Sequence, residues 1–324
     1  MAARPAIRPP TDDALKEAAC LLSHGALVAV PTETVYGLAA RAADPEAVAK
    51  LFAAKGRPAK NPLIVHTADA ATAFALIEET PAAQALADLW PGPLTLVGTR
   101  RAGANIALAA SAGGRTLAVR VPAGGVMRAL CAAVGPLVAP SANRSGRVSA
   151  TTADAVAQEF SAGVALILDG GPSEIGVEST VVSITGAPAL LRPGAIDGET
   201  LTARAGPLAP APTGGPLLSP GRLASHYAPE AAVRLDVRPE GVRPGEAYIA
   251  FGPADGARAT QIAQLSATQD LGEAAHNLYA ALRTCDTPGV AAIAVAPIPA
   301  RGLGHALRDR LQRAAEPRDE ADAP

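Results

Sequence analysis

The stretch KLFAAKGRPAKNPLIVH, residues 50–66, reads as the end of a helix, a glycine stop, a proline-bounded turn and a strand. Just upstream, Asp44-Pro45-Glu46 supplies an N-cap, a proline at the first helical position and an acid in the first turn. Val48, Leu51 and Phe52 recur at helical spacing and give that helix an apolar face. Gly56 fits its C-cap, where glycine takes up a left-handed conformation at no steric cost. Leu63–His66 is short, apolar and bounded by Pro62, as a buried strand is. A helix leading straight into a buried strand is the repeating unit of an α/β fold. The same stretch concentrates charge. Of the four lysines in the chain, Lys50, Lys55 and Lys60 lie here, with Arg57 and His66. Two readings stand. One is an anion site for a polyphosphate, with lysine as point charge, arginine as planar fork and Gly56 admitting a close backbone approach. The other is a solvated helix end, where cations favour the dipole.

Outward from this unit the alternation continues through residue 204. Ala26–Val30 reads as a buried strand that stops at Pro31. Helical patterns follow at 69–79 and 81–89, and strand patterns at 94–99, 116–121, 136–139, 164–169 and 179–184. Thr151 or Thr152 can cap a helix running to about Phe160. The expectation is a domain with a largely buried, twisted sheet flanked by helices. Residues 205–221, AGPLAPAPTGGPLLSPG, suit neither a strong helix nor a central strand and read as a linker. Beyond it come strand patterns at 232–237, 246–251 and 290–296. A helix opens on Asp270-Leu-Gly-Glu273 in the manner of a capping box, and a final helix runs from about Leu303 to Ala314. The tail EPRDEADAP is expected to be disordered. The boundaries expected are 1–204 for the first domain, 205–229 for the linker, 230–315 for a small α/β domain and 316–324 for the tail.

The bulk numbers bound the class. At 324 residues a single core is near its limit, so two domains are expected. Hydrophobic residues make up 49% and charged residues 18%, enough apolar content for a large core, while aromatics at 3% leave the packing to Ala, Val and Leu. A formal net charge of −2 gives no global attraction to nucleic acid. Cys20, Cys131 and Cys285 are far apart and form no CxxC pair, so they read as buried, reduced thiols rather than as metal ligands. The N-terminal stretch carries prolines and acids where a signal peptide needs an apolar run, and no run of about 18 apolar residues exists. A cytoplasmic protein with no membrane association is the expectation.

Several common site signatures are missing. There is no G-x-x-x-x-G-K-[ST] loop, no H-E-x-x-H and no G-x-S-x-G. Instead, polar clusters sit at the ends of strand-like runs, where open α/β sheets place ligands. They are Pro31–Gly37 (PTETVYG), the lysine/arginine loop ending in His66, Arg120 inside LAVRVP, Ala139–Gly146 (APSANRSG), Gly176–Thr180 (GVEST) and Leu191–Gly194 (LRPG). An arginine flanked by Ala-Val and Val-Pro is costly to bury unpaired, so Arg120 needs a carboxylate from the protein or from a ligand. His66 after LIV reads more readily as a satisfied core histidine than as a ligand contact. Glu33 and Glu178 could act as a catalytic pair or brace the nearby cations.

Taken in order, these strings resemble the threonylcarbamoyl-AMP synthase family, the YrdC-like proteins. The matching segments are PTETVYGL at 31–38, KGRPAKNPLIVH at 55–66, WPGPLTLV at 90–97, LAVRVP at 117–122, APSANRSG at 139–146, GVESTVV at 176–182 and LRPG at 191–194. The likeness spans about 12–204 and continues through SPGRLASHYAP at 219–229 into the second domain, as in the longer, two-domain branch. The chain departs from the family's linker pattern at 222–225, which reads RLAS. The resemblance implies an α/β fold with a twisted, mixed, open sheet and flanking helices, plus a smaller C-terminal Rossmann-like α/β domain. It implies that L-threonine, bicarbonate and ATP give L-threonylcarbamoyladenylate and pyrophosphate, for threonylcarbamoyladenosine formation in tRNA. By motif position, Lys55, Arg57, Asn61, Thr116, Ser141, Asn143, Ser149, Arg192 and Tyr227 would hold ATP, with the linker around Tyr227 as a lid. Thr34, His66, Arg120, Ala139 (through its backbone) and Ser179 would surround L-threonine. Mg2+ is expected with the triphosphate, without a protein metal cage. The downstream tRNA threonylcarbamoyl-transfer machinery is the expected recipient, with weak tRNA contact as a further expectation. The alternatives are a carbamoyl-adenylate-forming enzyme, or an RNA-binding module of the same fold.

Overall fold

The structure, a computed structural model, describes residues 5–211 and 226–317. It divides into two units. One is built from residues up to 145 with 150–173 and 178–211, and the other from 146–149, 174–177 and 226–317. The linker expected at 205–229, with its lid role, falls mostly outside the described residues, as does the tail from 318.

In the first unit the chain runs β1 (Ala6–Arg8), α1 (Asp12–Ser23), β2 (Val28–Val30), β3 (Gly37–Arg41), α2 (Pro45–Lys55), β4 (Ile64–His66), α3 (Ala70–Phe74) and α4 (Pro81–Ala87). It continues through β5 (Leu94–Thr99), β6 (Thr116–Arg120), α5 (Gly125–Val134), β7 (Leu137–Val138), α6 (Ala153–Glu159), β8 (Leu166–Leu168), β9 (Thr180–Ser183), β10 (Ala189–Arg192) and α7 (Gly198–Ala205). The strands form one mixed sheet in the order β1-β8-β2-β3-β7-β4-β6-β5-β9-β10.

The opening stretch folds as its residues dictate. Asp44 caps α2 by accepting the N–H groups of Glu46 and Ala47, a contact worth about 1 kcal/mol. Gly56 closes the helix at φ 60°, a left-handed conformation that a side chain would strain. Val48 and Leu51 are fully buried, each contributing roughly 1.5–3 kcal/mol through burial. β4 then enters the sheet between β7 and β6.

The period-2 alternation of the strands sorts residues onto two faces. One face carries Ala29, Leu38, Ala40, Val65, Leu96, Val119 and Val182, packed under α2, α4 and α6. On the other face, Ala14, Ala18 and Leu22 of α1 and Met127, Leu130 and Cys131 of α5 cover the half built from β8, β2, β3 and β7. The remaining half of that face holds a small cluster of Ile64, Val97, Ala118, Val181 and Leu191, to which no helix among the described residues contributes. That half positions the polar side chains described below.

The second unit has a four-stranded, all-parallel sheet in the order β11-β14-β12-β13: β11 (Ala232–Arg234), β12 (Ala247–Phe251), β13 (Ile262–Ser266) and β14 (Ala292–Val295). Helix α8 (Leu271–Cys285) buries Ala274, Ala275, Leu278 and Leu282, and α9 (Gly304–Ala315) follows β14. Both sheets match the expected α/β class.

Three local expectations need correction. The helical pattern at 69–79 ends at Phe74, because Ile77 instead bridges Arg100 at the sheet margin. Asp270 does cap α8, but Glu273 does not return the bond. Its carboxylate accepts the Ser266 hydroxyl at 2.6 Å, and that same hydroxyl receives the Asp270 N–H. All three cysteines are free, yet Cys20 is exposed. It lies on the outer face of α1, away from the inward row Ala14, Ala18 and Leu22. Burial does hold for the other two, and it pushes the Cys131 thiol up to about 12.

Candidate active site

Strand register brings one set of polar residues together. β4 and β6 run parallel with His66 opposite Arg120, so both side chains lie at the carboxyl ends of adjacent strands and on one face. Thr34, from the loop after β2, reaches the same place, and its hydroxyl accepts an Arg120 Nη1–H at 3.0 Å. The Arg120 Nη2 donates to Glu33 Oε1 at 2.6 Å and Nε donates to the Gly92 carbonyl at 3.3 Å. The carboxylate that Arg120 requires is therefore supplied by the protein. Three of its five N–H groups are spent and two remain. Glu33 is thereby committed to bracing a cation, and the Glu33–Glu178 catalytic pair loses one member.

His66 is buried and its Nδ1 has no hydrogen-bond partner among the described residues. It is not a satisfied core histidine. Burial, and then the nearby charge of Arg120, hold its pKa down at about 3, so the ring is neutral at ordinary pH. Ala139 flanks β4 from the other side, its N–H bonded to the Ile64 carbonyl at 3.2 Å.

A second set gathers around the helix-to-strand loop. Lys55, fully within α2's inner face, donates Nζ–H to the Ser141 carbonyl at 2.6 Å and to the Asn143 carbonyl. The Ser145 N–H returns to the Lys55 carbonyl at 2.8 Å, so the loop 141–145 is tied to the end of α2. Lys55 has no carboxylate partner among the described residues. Burial, and then repulsion from Arg57, hold its pKa well below the usual lysine range. Arg57 folds its own loop, donating to the carbonyls of Asn61 at 3.1 Å and Pro62 at 2.7 Å. Asn61 is fully buried, and neither its Oδ1 nor its Nδ2 has a partner among the described residues. The positive stretch is not one cluster, however. Lys50 and Lys60 are exposed, and Lys50 donates to the Gly25 carbonyl on another side of α2.

Arg192 and Ser179 join the sets. Arg192 donates to the Ser179 carbonyl through Nε at 3.1 Å and Nη2 at 3.0 Å, and to the Ser179 hydroxyl at 3.1 Å. Thr95, on the same face as Val97, shares a 2.8 Å hydrogen bond with that hydroxyl. Gly194 makes the crossing possible, since a Cβ there would meet the Thr180 nitrogen at 2.3 Å. Thr116 is half-buried at the opposite end of β6, four residues or about 13 Å along the strand from Arg120. Ser149 and Tyr227 belong to the second unit. There Tyr227 is buried at φ 62°, edge-on to His226, stacked on Tyr279 at 5.6 Å and beneath the Arg310 guanidinium.

Sequence reading left Thr95 out of the site and carried Glu33 only as a catalytic partner of Glu178 or a brace for the nearby cations. Their signal was present: Glu33 lies in PTETVYG and Thr95 shares strand parity with Val97. Among the described residues no group of three or more His, Cys, Asp or Glu could hold a metal ion.

An open mixed sheet with buried, unsatisfied polar groups at strand ends, followed by a Rossmann-like unit, defines a two-domain α/β protein of the YrdC-like class. A Sua5/YciO/YrdC family model, described as telomere recombination, matches residues 20–194, and a model of the threonylcarbamoyl-AMP synthase C-terminal domain matches 196–316. The threonylcarbamoyl-AMP synthase of Pyrococcus abyssi (strain GE5 / Orsay) is 40% identical over 320 residues, covering 93% of each chain. That of Bacillus subtilis (strain 168) is 38% identical, covering 94% of this chain and 93% of its own. The crystal structure of the P. abyssi Sua5 protein complexed with L-threonine superposes with a TM-score of 0.87 at 34% identity, over 97% of this chain and 98% of that one. The chain belongs to the threonylcarbamoyl-AMP synthase family, in its two-domain Sua5 branch.

Proposed function

We propose that this protein is an L-threonylcarbamoyladenylate synthase, a nucleotidyltransferase that converts L-threonine, bicarbonate and ATP to L-threonylcarbamoyl-AMP and pyrophosphate. The observation that carries the reading is the pair of buried side chains with unmet hydrogen bonds, Asn61 and His66. They stand in two sets that differ electrostatically, one around a cation paired with a carboxylate and one around a cation held by carbonyl oxygens. A buried polar group without a partner costs stability, about 1–3 kcal/mol, and is retained where a ligand supplies the partner.

In this reading the Lys55 set takes the nucleotide. Lys55, Arg57, Asn61, Ser141, Asn143 and Arg192 hold the phosphates and base, with Thr116 as a further contact. The Arg120 set takes threonine. The two spare N–H groups of Arg120 meet the carboxylate, while Thr34, neutral His66, Ser179 and the Ala139 backbone fix the rest of the molecule. The threonine amine forms a carbamate, with carbon dioxide by losing a proton or with bicarbonate by releasing water. A carbamate oxygen then attacks the α-phosphorus and pyrophosphate leaves. No protein nucleophile is needed. The protein aligns the reactants, stabilises phosphate charge and keeps water from a labile anhydride. Mg2+ enters on the triphosphate as part of the nucleotide substrate. The product serves threonylcarbamoyladenosine formation in tRNA through a separate transfer machinery, in the cytoplasm.

The test is incubation of the purified protein with ATP, Mg2+, bicarbonate and labelled L-threonine, followed by chromatographic separation of adenylates. A labelled adenylate that requires both threonine and bicarbonate, with matching pyrophosphate, is expected. ATP turnover with carbamoyl phosphate, and none with threonine, would transfer the assignment to carbamoyl-adenylate chemistry.

A further inference from the structure

Glu33 is a buried carboxylate in direct contact with the proposed threonine set, and it ties three parts of the fold at once. It lies in the loop after β2. Its Oε1 accepts from Arg120 Nη2 at 2.6 Å and from the Ala123 N–H at 3.0 Å, and its Oε2 accepts from the Gly124 N–H at 3.2 Å. Ala123 and Gly124 are the residues that lead into helix α5. One carboxylate thus links the β2 loop, the end of β6 and the start of α5.

The consequence for Arg120 is geometric. A guanidinium is planar and its five N–H directions are fixed to one another. Glu33, Thr34 and the Gly92 carbonyl hold all three of its nitrogens. With three points pinned, the plane cannot rotate, and the two unspent N–H groups have set directions. Without Glu33 the fork would keep only a hydroxyl and one long carbonyl contact. The carboxylate also offsets the Arg120 charge, so an anion is held here by direction rather than by bulk attraction. Glu33 takes no part in proton exchange. Burial alone would raise its pKa, but the Arg120 charge and the Ala123 N–H more than offset burial and hold it at about 2.

We propose that Glu33 is a positioning residue for the amino-acid substrate: it fixes the Arg120 guanidinium in the one orientation that recognises the α-carboxylate of L-threonine. The proposal rests on the reading of Arg120 as the contact to that carboxylate.

The experiment measures KM for L-threonine, L-threoninamide and ATP in the full-length protein, its Glu33→Gln and Glu33→Asp variants, and Arg120→Gln as reference. Thermal melts establish that each variant is folded. L-Threoninamide lacks the carboxylate charge, so the ratio of the two amino-acid KM values reads carboxylate recognition alone. Glu33→Gln is expected to raise KM for L-threonine about ten- to a hundredfold, to collapse the threonine-to-threoninamide preference, and to leave KM for ATP within about twofold. Glu33→Asp keeps the charge, so Arg120 stays paired and the fold is retained. Its shorter reach should lower the same preference by less. An unchanged preference in the folded Glu33 variants, while Arg120→Gln abolishes it, would overturn the positioning role and leave the threonine reading standing. Equal losses for threonine and ATP would reduce Glu33 to a structural brace and overturn the proposal likewise. If Arg120→Gln itself leaves the preference intact, the carboxylate reading of Arg120 falls and the Glu33 proposal falls with it.

Discussion

Arg120, at the end of strand β6, and Lys55, at the end of helix α2, are both buried cations, and the protein treats them in opposite ways. Arg120 meets a carboxylate 2.6 Å away, and its charge is offset in place. Lys55 donates to the carbonyl oxygens of Ser141 and Asn143 and has no carboxylate in hydrogen-bond contact among the described residues; burial, and then Arg57, push its pKa down. A buried ion pair is close to electrostatically self-sufficient, whereas a buried ammonium held by dipoles has unspent attraction for an anion. The first arrangement suits a small substrate carrying its own balanced charges, recognised through directed hydrogen bonds. The second suits a polyanion. The proposed division of the site between a nucleotide and an amino acid rests on this difference.

The largest effect that tests this contrast is at Lys55 and Arg57. Either residue changed to Ala should lower kcat/KM for ATP by about 10²–10³-fold, as removal of a group that stabilises transferring phosphate does. Steady-state kinetics at saturating threonine would read it, and near-normal ATP use would remove these residues from the phosphate site. Arg120→Gln should raise KM for threonine by at least about tenfold with little change for ATP, consistent with loss of a charged hydrogen bond. Equal effects on both substrates would erase the division.

Asn61 sharpens the comparison from the side of stability. Its amide is buried with no partner among the described residues, an arrangement that costs about 1–3 kcal/mol in the ligand-free protein. Asn61→Leu should therefore raise the melting temperature of the ligand-free protein while weakening ATP binding. A variant that loses both stability and ATP binding would mean the amide is structural.

The smallest effect concerns His66. Its pKa falls from 6.5 in the unfolded chain to about 3 in the folded protein. Between those values the unfolded state binds the extra proton, so stability rises with pH across the window and is lost on acidification through it. His66→Asn removes that titration. The melting temperature of the variant should fall less steeply between pH 6.5 and 4 than that of the parent. Parallel slopes would place the His66 proton in the folded state as well.

Much of this organisation was legible locally. Asp44, Pro45 and Gly56 mark both ends of α2 within the opening stretch, and Leu63–His66 announces the strand after it. These signals act over a few residues, so the sequence displays them directly. The partner of Arg120 was not legible, because Glu33 lies 87 residues away and meets it only through the loop after β2 and the register of β6. Strand β3 was hidden for a different reason. Its residues GLAAR are small and continue a polar motif, so no β-branched run betrays them. β13 was missed because the edge strand IAQLS is half exposed and reads as loop. Cys20 was assigned by the habit of its residue type, when the spacing of Ala14, Ala18 and Leu22 already placed it on the outer face of α1. The unmet bonds of Asn61 and His66 depend on what surrounds them in three dimensions, and no local pattern encodes that.

The most direct measurement of the division of labour is a crossed calorimetric titration. MgATP and L-threonine are each titrated separately into the parent, Lys55→Ala and Arg120→Gln proteins. The account predicts that Lys55→Ala abolishes the MgATP isotherm and preserves the threonine one, with the reverse for Arg120→Gln. If each substitution weakens both ligands alike, the two cations serve one undivided site and the account is contradicted.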